Sequence, residues 1–308
     1  MSDTEQPLSW GAEALWQQLQ PLLPGISVEV LARAESTNTI LIERARHSGG
    51  QRDAPVSRPG EFDPLDGPRT PHGRRSGDTQ PCLLVAEHQT RGRGRMGRTW
   101  QSARGASLTF SIGLPLAPAD WSGLSLAVGV ALADALDPPA PGIDARIGLK
   151  WPNDLWLVDP LNPLGGRKLG GVLIETVPVG DRRMCVVGVG LNVLPQSLDD
   201  LSTGYACLAE LDARMTAPQA LALVAPALVR ALQQFQSEGF ARFASAFARR
   251  DLLAGRAVST SLPDLPEGVA EGVDERGALR VSVGGSVRAL VGGEISVRPS
   301  ADAGGAAC

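Results

Sequence analysis

The feature that most narrows the fold is a pair of short apolar β runs with glycines in their interior. They are Lys168-Leu-Gly-Gly-Val-Leu-Ile-Glu175 and Gly188-Val-Gly-Leu-Asn192. Glycine inside a strand packs nothing and weakens pairing, so it marks close approach of a ligand or of another backbone. Side by side, two such strands would leave a floor open for a flat apolar ligand, with Gly170, Gly171, Gly188 and Gly190 along it. Taken singly, either run reads as tight packing of a helix on the sheet.

The rest of the chain supplies the other layers of a mixed α+β fold. Residues 8–23 have the spacing of an amphipathic helix, with Leu8, Leu15, Leu19 and Leu22 on one side. Residues 26–31 alternate as a strand, and Ser36-Thr37-Asn38 opens a helix over 39–47. Strands are predicted at 82–87, 107–114, 146–150, 155–158, 169–176 and 184–190. Helices are predicted at 121–136 and across 204–250, the latter interrupted near Gly239. Residues 48–81 are rich in Gly, Pro, Arg, Asp and Ser and poor in large apolar side chains, which predicts a mobile surface insertion. From Gly255 on, five short β runs separated by Gly and Asp predict a small β-barrel over 254–299, followed by a disordered tail at 300–308. The division is therefore a domain over 1–253 and a small C-terminal one.

Composition excludes several classes. The 308 residues carry a net charge of −4, which argues against nucleic-acid binding through whole-molecule charge. The four cysteines form no CxxC pair, and the three histidines are scattered, so no metal-ligand spacing emerges. No secretory signal opens the sequence, and no apolar run reaches the ~18 residues of a membrane span. A soluble cytoplasmic protein is the expectation. Of the 29 basic residues only two, Lys150 and Lys168, are lysines. Base composition of a genome would by itself produce such a bias toward arginine. The two exceptions mark places where a compact ammonium could serve better than a planar guanidinium.

Three further segments carry candidate chemistry. Gln89-Thr-Arg-Gly-Arg-Gly-Arg-Met-Gly-Arg98-Thr-Trp100 follows a buried strand and alternates glycine with arginine. Glycine lets the backbone approach a ligand and arginine supplies forked donors, so the loop is suited to wrap an anion. A solvated basic loop or an RNA-binding Arg/Gly segment would have the same composition. It matches neither the Walker A pattern nor a GxGxxG helix opening. Lys150-Trp-Pro-Asn-Asp154 ends a strand in a turn, where the lysine either neutralises a phosphoryl oxygen or snorkels to solvent. Glu175 at the end of its run reads as a solvated charge. Ser36-Thr37-Asn38 is either a helix cap or a cluster for a ureido or amide group.

In this order the segments resemble biotin protein ligase (biotin–[acetyl-CoA-carboxylase] ligase). Five motifs in sequence are far more specific than any one, and they span roughly residues 26–298 apart from 48–81. Gly292-Gly-Glu-Ile-Ser-Val297 also resembles that family's C-terminal barrel. The resemblance implies a mixed-sheet catalytic domain like that of biotin and lipoate ligases, followed by an SH3-like barrel. It implies two half-reactions. Biotin is first activated by ATP with magnesium as biotinyl-5'-AMP, and the biotinyl group then passes to a lysine of a biotin carboxyl carrier protein.

By the same resemblance Lys150 and Arg95 are the catalytic candidates. Ser36, Thr37, Asn38, Gln89, Arg93, Gly94, Arg95 and Lys150, with Gly170, Gly171 and Gly188, would contact biotin. Arg93, Arg95, Arg98, Trp100, Asn153 and Asn192 would contact the nucleotide. No metal ligand set is assigned, and magnesium would arrive mainly with ATP. Met96 stands where many members of the family have arginine. The ~25 residues before Ile26 are too few for a winged helix-turn-helix, which implies a monofunctional ligase without DNA or membrane partners, with homodimerisation open. A lipoate or octanoate ligase of the same fold and an Arg/Gly RNA-binding protein are the competing readings.

Overall fold

The structure is a computed structural model that describes residues 8–48, 79–159, 162–196, 204–292 and 297–299. Most of the predicted insertion and the tail lie outside them. The first helix, α1, spans Ala12–Leu19 and β1 spans Ser27–Leu31. After α2 (Thr37–Ser48) come β2 (Cys82–Ala86) and a small hairpin, β3 (Gly92–Arg93) and β4 (Thr99–Trp100). Next are β5 (Ser107–Pro115), α3 (Leu124–Leu136), β6 (Ile147–Lys150) and β7 (Asp154–Asp159). Two long strands follow, β8 (Asn162–Val179) and β9 (Arg182–Asn192), then α4 (Ala217–Glu238) and the short α5 (Ala244–Ala248).

The first strands form one seven-stranded sheet in the order β1-β2-β5-β9-β8-β7-β6. Only β1 and β2 pair in parallel; every other neighbour is antiparallel. The central strands β5 and β9 are buried along nearly their whole length, because helices cover both faces. Strand alternation assigns the faces. Leu83, Val85, Phe110, Ile112, Val187 and Val189 point into the main core with α1, α3 and α4. Leu84 and Val186 point the other way, against Leu41 and Ile42 of α2. Ser111, Gly188, Gly190, Gly171, Leu173 and Glu175 share the α2 side by the same alternation, and the site is built there.

Several expectations need correction. The strand predicted at 169–176 is longer: β8 begins at Asn162 and pairs back onto β7. Lys168 and Glu175 therefore sit inside a strand, not at its ends. Helix α2 starts at Thr37, so Ser36 alone stands before it, its Oγ accepting from Thr39 N at 3.4 Å.

The C-terminal strands are β10 (Ala257–Leu262), β11 (Leu265–Val273), β12 (Leu279–Val283), β13 (Ser286–Leu290) and β14 (Val297–Pro299). They form an antiparallel sheet in the order β13-β12-β11-β10-β14, compatible with the SH3-like unit expected, without pairing between β13 and β14 among the described residues. Its buried side chains, among them Val258, Ala270 and Leu279, join the main core. Two ties bind it, and the residues just before it, to the large sheet near the proposed site. Trp151 Nε1 donates to Gly277 O at 3.1 Å. Residues 250–252 bracket Leu149: its N donates to Arg250 O at 2.6 Å, and Leu252 N donates to Leu149 O at 3.0 Å.

Candidate functional site

A cleft of about 140 Å³ opens on the α2 side of the sheet, under the β3–β4 hairpin. Its floor explains the glycines. Gly188 pairs with Ser111 on one side and Leu173 on the other, and Gly190 with Thr109 and Gly171. A Cβ on Gly188 would lie 2.2 Å from Asn38 Oδ1, and one on Gly190 would lie 2.5 Å from Trp100 Cε2. The floor was expected to lie open for a ligand. Instead the space above these two glycines holds the Asn38 amide and the Trp100 indole. Trp100 Nε1 is buried and has no hydrogen-bond partner among the described residues, so it is a donor within the cleft. Gly170 does not line the cleft; a Cβ there would meet Gly190 O at 2.5 Å.

At one end of the cleft lies a directional hydrogen-bond cluster. Thr37 N donates to Gln89 Oε1 at 2.7 Å. Thr37 Oγ1 is 2.6 Å from Ser111 Oγ, and Ser111 Oγ donates to Asn38 Oδ1 at 2.6 Å. Asn38 Nδ2 donates to Glu175 Oε2 at 3.0 Å and to Leu173 O at 3.2 Å. These groups are buried and mutually satisfied, which fixes donors and acceptors in place before any ligand arrives.

The other end is cationic. The hairpin pairs Gly92 with Trp100 and Arg93 with Thr99, and its turn is closed by Gly94 N donating to Arg98 O at 2.7 Å. Met96 in that turn has φ 57°, a left-handed conformation unfavourable for a residue with a Cβ. Arg95 reaches across to Asn153 Oδ1 at 3.1 Å, and Asn153 Nδ2 donates to Val172 O at 2.8 Å. Burial lowers the pKa of the Arg95 guanidinium; the negative charge of Asp154 opposes this and Arg98 adds to it. The charge of an arriving anion would offset that desolvation. Lys150 Nζ lies 5.3 Å from the centroid of the Trp156 ring, within cation–π range. Lys168 Nζ donates to Asp154 Oδ1 at 2.8 Å. Both lysines of the chain thus line one cleft.

Comparison with known proteins identifies the fold's relatives. Residues 74–192 match the biotin/lipoate A/B protein ligase family. The bifunctional ligase/repressor BirA of Escherichia coli K12 is 33% identical over 288 residues, covering 92% of this chain and 77% of BirA. The biotin–[acetyl-CoA-carboxylase] ligase of Mycobacterium tuberculosis is 31% identical over 296 residues, covering 92% of this chain and 91% of that protein. The chain belongs to the biotin protein ligase family. The biotin protein ligase from Aquifex aeolicus, solved with biotin and ATP, superposes with a TM-score of 0.64 at 24% identity. That match covers 89% of this chain and 99% of the Aquifex one and shares the fold.

Most of the expected site residues of the ligase meet in the cleft. Ser36, Thr37, Asn38, Gln89, Arg93, Gly94, Arg95, Arg98, Trp100, Lys150, Asn153, Gly171, Gly188 and Gly190 all line it. Asn192 lies apart, its Nδ2 donating to Lys168 O and Ala206 O at 3.2 and 2.9 Å, which suits a brace between β9 and the segment before α4. The sequence reading passed over Ser111 and Asp154 and undervalued Lys168 and Glu175. Strand alternation could have placed Ser111 opposite Gly188, but only with the register known.

Proposed function

We propose that the chain is an ATP-dependent ligase that activates biotin as biotinyl-5'-AMP and transfers it to a lysine of a biotin carboxyl carrier protein. The observation that carries this is the polarity of one cleft. A rigid amide-and-hydroxyl cluster (Thr37, Asn38, Gln89, Ser111) stands at one end, and Lys150, Lys168 and Arg95 at the other. Biotin has the same polarity, with a ureido ring at one end, a carboxylate at the other and an apolar body between. The 31% identity to a ligase named for biotin supports the same acid over lipoate.

In the first half-reaction a carboxylate oxygen attacks the α-phosphorus and pyrophosphate leaves. Both reactants are anions, so the site must place cations where charge develops. Lys150 is the point charge for the carboxylate and α-phosphate, and Arg95, with Arg98 beside it, serves the phosphates. Trp100 offers its indole face and its N–H to the ligand. In the second half-reaction a neutral amine of the carrier attacks the acyl carbon, the bond to phosphate breaks, AMP leaves and the amine loses a proton. Among the described residues no cluster of three or more metal-ligating side chains exists. Among the described residues Asp154 is the one carboxylate lining the cleft, and Lys168 already holds it. Magnesium commonly binds through one or two carboxylates plus phosphates. It fits here as an ion carried by the nucleotide, with Asp154 and Asn153 as the protein oxygens available.

The proposal extends to the two-part division at residue 253 and to action in the cytoplasm on an acetyl-CoA carboxylase carrier domain. No helix among the described residues is long and apolar enough to cross a membrane. The test is incubation with ATP, magnesium and an equimolar mixture of biotin and lipoate, followed by mass spectrometry. Biotinyl-AMP is the expected product. Lipoyl-AMP in excess, or no adenylate from either acid, would overturn the assignment.

A further inference from the structure

Glu175 looks in sequence like a solvated charge, but its side chain is only 23% exposed. Its Oε1 accepts from Arg93 Nη2 at 2.9 Å, and its Oε2 accepts from Arg93 Nη1 at 3.3 Å and from Asn38 Nδ2 at 3.0 Å. One carboxylate therefore joins the Gly/Arg hairpin to the first turn of α2. It also ends the chain of hydrogen bonds that runs from Thr37 through Ser111 and Asn38. Arg93 stands between Gly92 and Gly94, so the backbone around it has wide conformational freedom and gains order from what its side chain grips. Among the described residues, Arg95 to Asn153 and Arg93 to Glu175 tether the hairpin by its side chains across the cleft. In the proposed reaction Arg95 turns to the phosphates and gives up its tether, while Arg93 need not.

We propose that Glu175 is a positioning residue of the ligase reaction: by holding Arg93 beside Asn38 it keeps the Gly/Arg hairpin closed over the cleft and sets how long the acyl-adenylate is retained. This deepens the ligase reading and rests on it. Retention matters chemically because the mixed anhydride is lost to water once released, and the amine that should consume it belongs to a separate protein. Pairing with Glu175 also removes Arg93 from the cationic set at the far end of the cleft.

The test uses the full-length chain and Glu175→Gln, which keeps the shape of the side chain and removes its charge. Two quantities are read: the rate of tryptic cleavage after Arg91, Arg93, Arg95 or Arg98, identified by fragment mass, and the release of biotinyl-AMP after a single turnover. Loss of a bidentate, partly buried ion pair should raise both by about tenfold. The rate of pyrophosphate formation should stay within about twofold, since no transition-state contact is removed. Arg93→Gln should reproduce both rises, and exchanging the charges with Arg93→Glu and Glu175→Arg together should reverse most of them. Wild-type cleavage and release rates in Glu175→Gln, or an exchange no better than either single change, would overturn the proposal. Failure of the wild type to form any adenylate would instead remove the ligase reading, and the cleavage rates would still judge the tether.

Discussion

Placing a methyl group on Gly188 should damage this protein out of proportion to its size. The backbone at Gly188 is ordinary extended strand, so alanine itself is no strain, and the lower entropy of the unfolded chain favours it by about 0.4–1 kcal/mol. The collision is the issue. The new Cβ would lie 2.2 Å from Asn38 Oδ1 and 2.8 Å from its Cγ, where carbon contacts settle near ~3.5 Å. Asn38 must then retreat by roughly 1 Å, and it is 4% exposed and held at both ends. Its bonds to Ser111 and Glu175 would break. Overpacking of this kind costs about 1–3 kcal/mol, and a buried polar group left unsatisfied costs about 1–3 kcal/mol more. The expected net loss is about 1–5 kcal/mol after the entropic gain. Equilibrium urea unfolding measures it. Gly113→Ala is the control, since the nearest neighbours of its Cβ would all be Leu41 side-chain atoms, the first Cδ1 at 3.3 Å, and an apolar side chain can shift. In an Asn38→Ala background the methyl should become nearly neutral. A Gly188→Ala loss below about 0.5 kcal/mol, or strict additivity with Asn38→Ala, would refute the packing argument.

Lys150→Ala should leave the unfolding midpoint nearly unchanged and lower pyrophosphate release by about a hundredfold or more; wild-type release would remove its role. Arg250 is buried and binds Asp134 Oδ1 and Asp137 Oδ2, each at 2.9 Å, and Ile147 O at 2.8 Å. Arg250→Ala should therefore cost about 3–5 kcal/mol in urea unfolding, because two carboxylates and a carbonyl lose their shared cation; a loss under 1 kcal/mol would contradict this. Burial pushes the Cys82 and Cys185 thiols from the ordinary 9.0 up to about 12. The folded state thus disfavours the thiolate, so stability should fall as pH rises from about 9 toward 12, where only the unfolded chain ionises readily. Iodoacetamide at pH 8 should spare both thiols in the folded protein, and rapid labelling of either would contradict their burial.

Much of the candidate site was legible because its chemistry lies in contiguous motifs. The Gly/Arg hairpin, Lys150-Trp-Pro-Asn-Asp154 and Ser36-Thr37-Asn38 each announce themselves by residue type and spacing within a dozen positions. The β runs were legible for a related reason: strand alternation is local, and nearly every predicted strand appears within a few residues of its place. Boundaries were less so. The early start of β8 was hidden because Pro163, Gly165 and Gly166 interrupt the apolar pattern, and local composition cannot reveal a backbone paired onto β7.

What the sequence by itself determined was the inventory: two lysines kept among arginines, glycines set in two apolar strands, and hydroxyl and amide groups opening a helix. What only the tertiary structure decided was who meets whom. Register places Gly188 opposite Ser111 and beneath Asn38, and Gly190 beneath Trp100. It also turns Glu175 from a surface charge into the anchor of the hairpin and brings Lys168 to Asp154 inside the same cleft as Lys150. The physical reason is that these contacts join residues 14 to 150 positions apart. They depend on which face of a strand each side chain takes, and a shift of one residue in pairing would send all of them to the other side of the sheet.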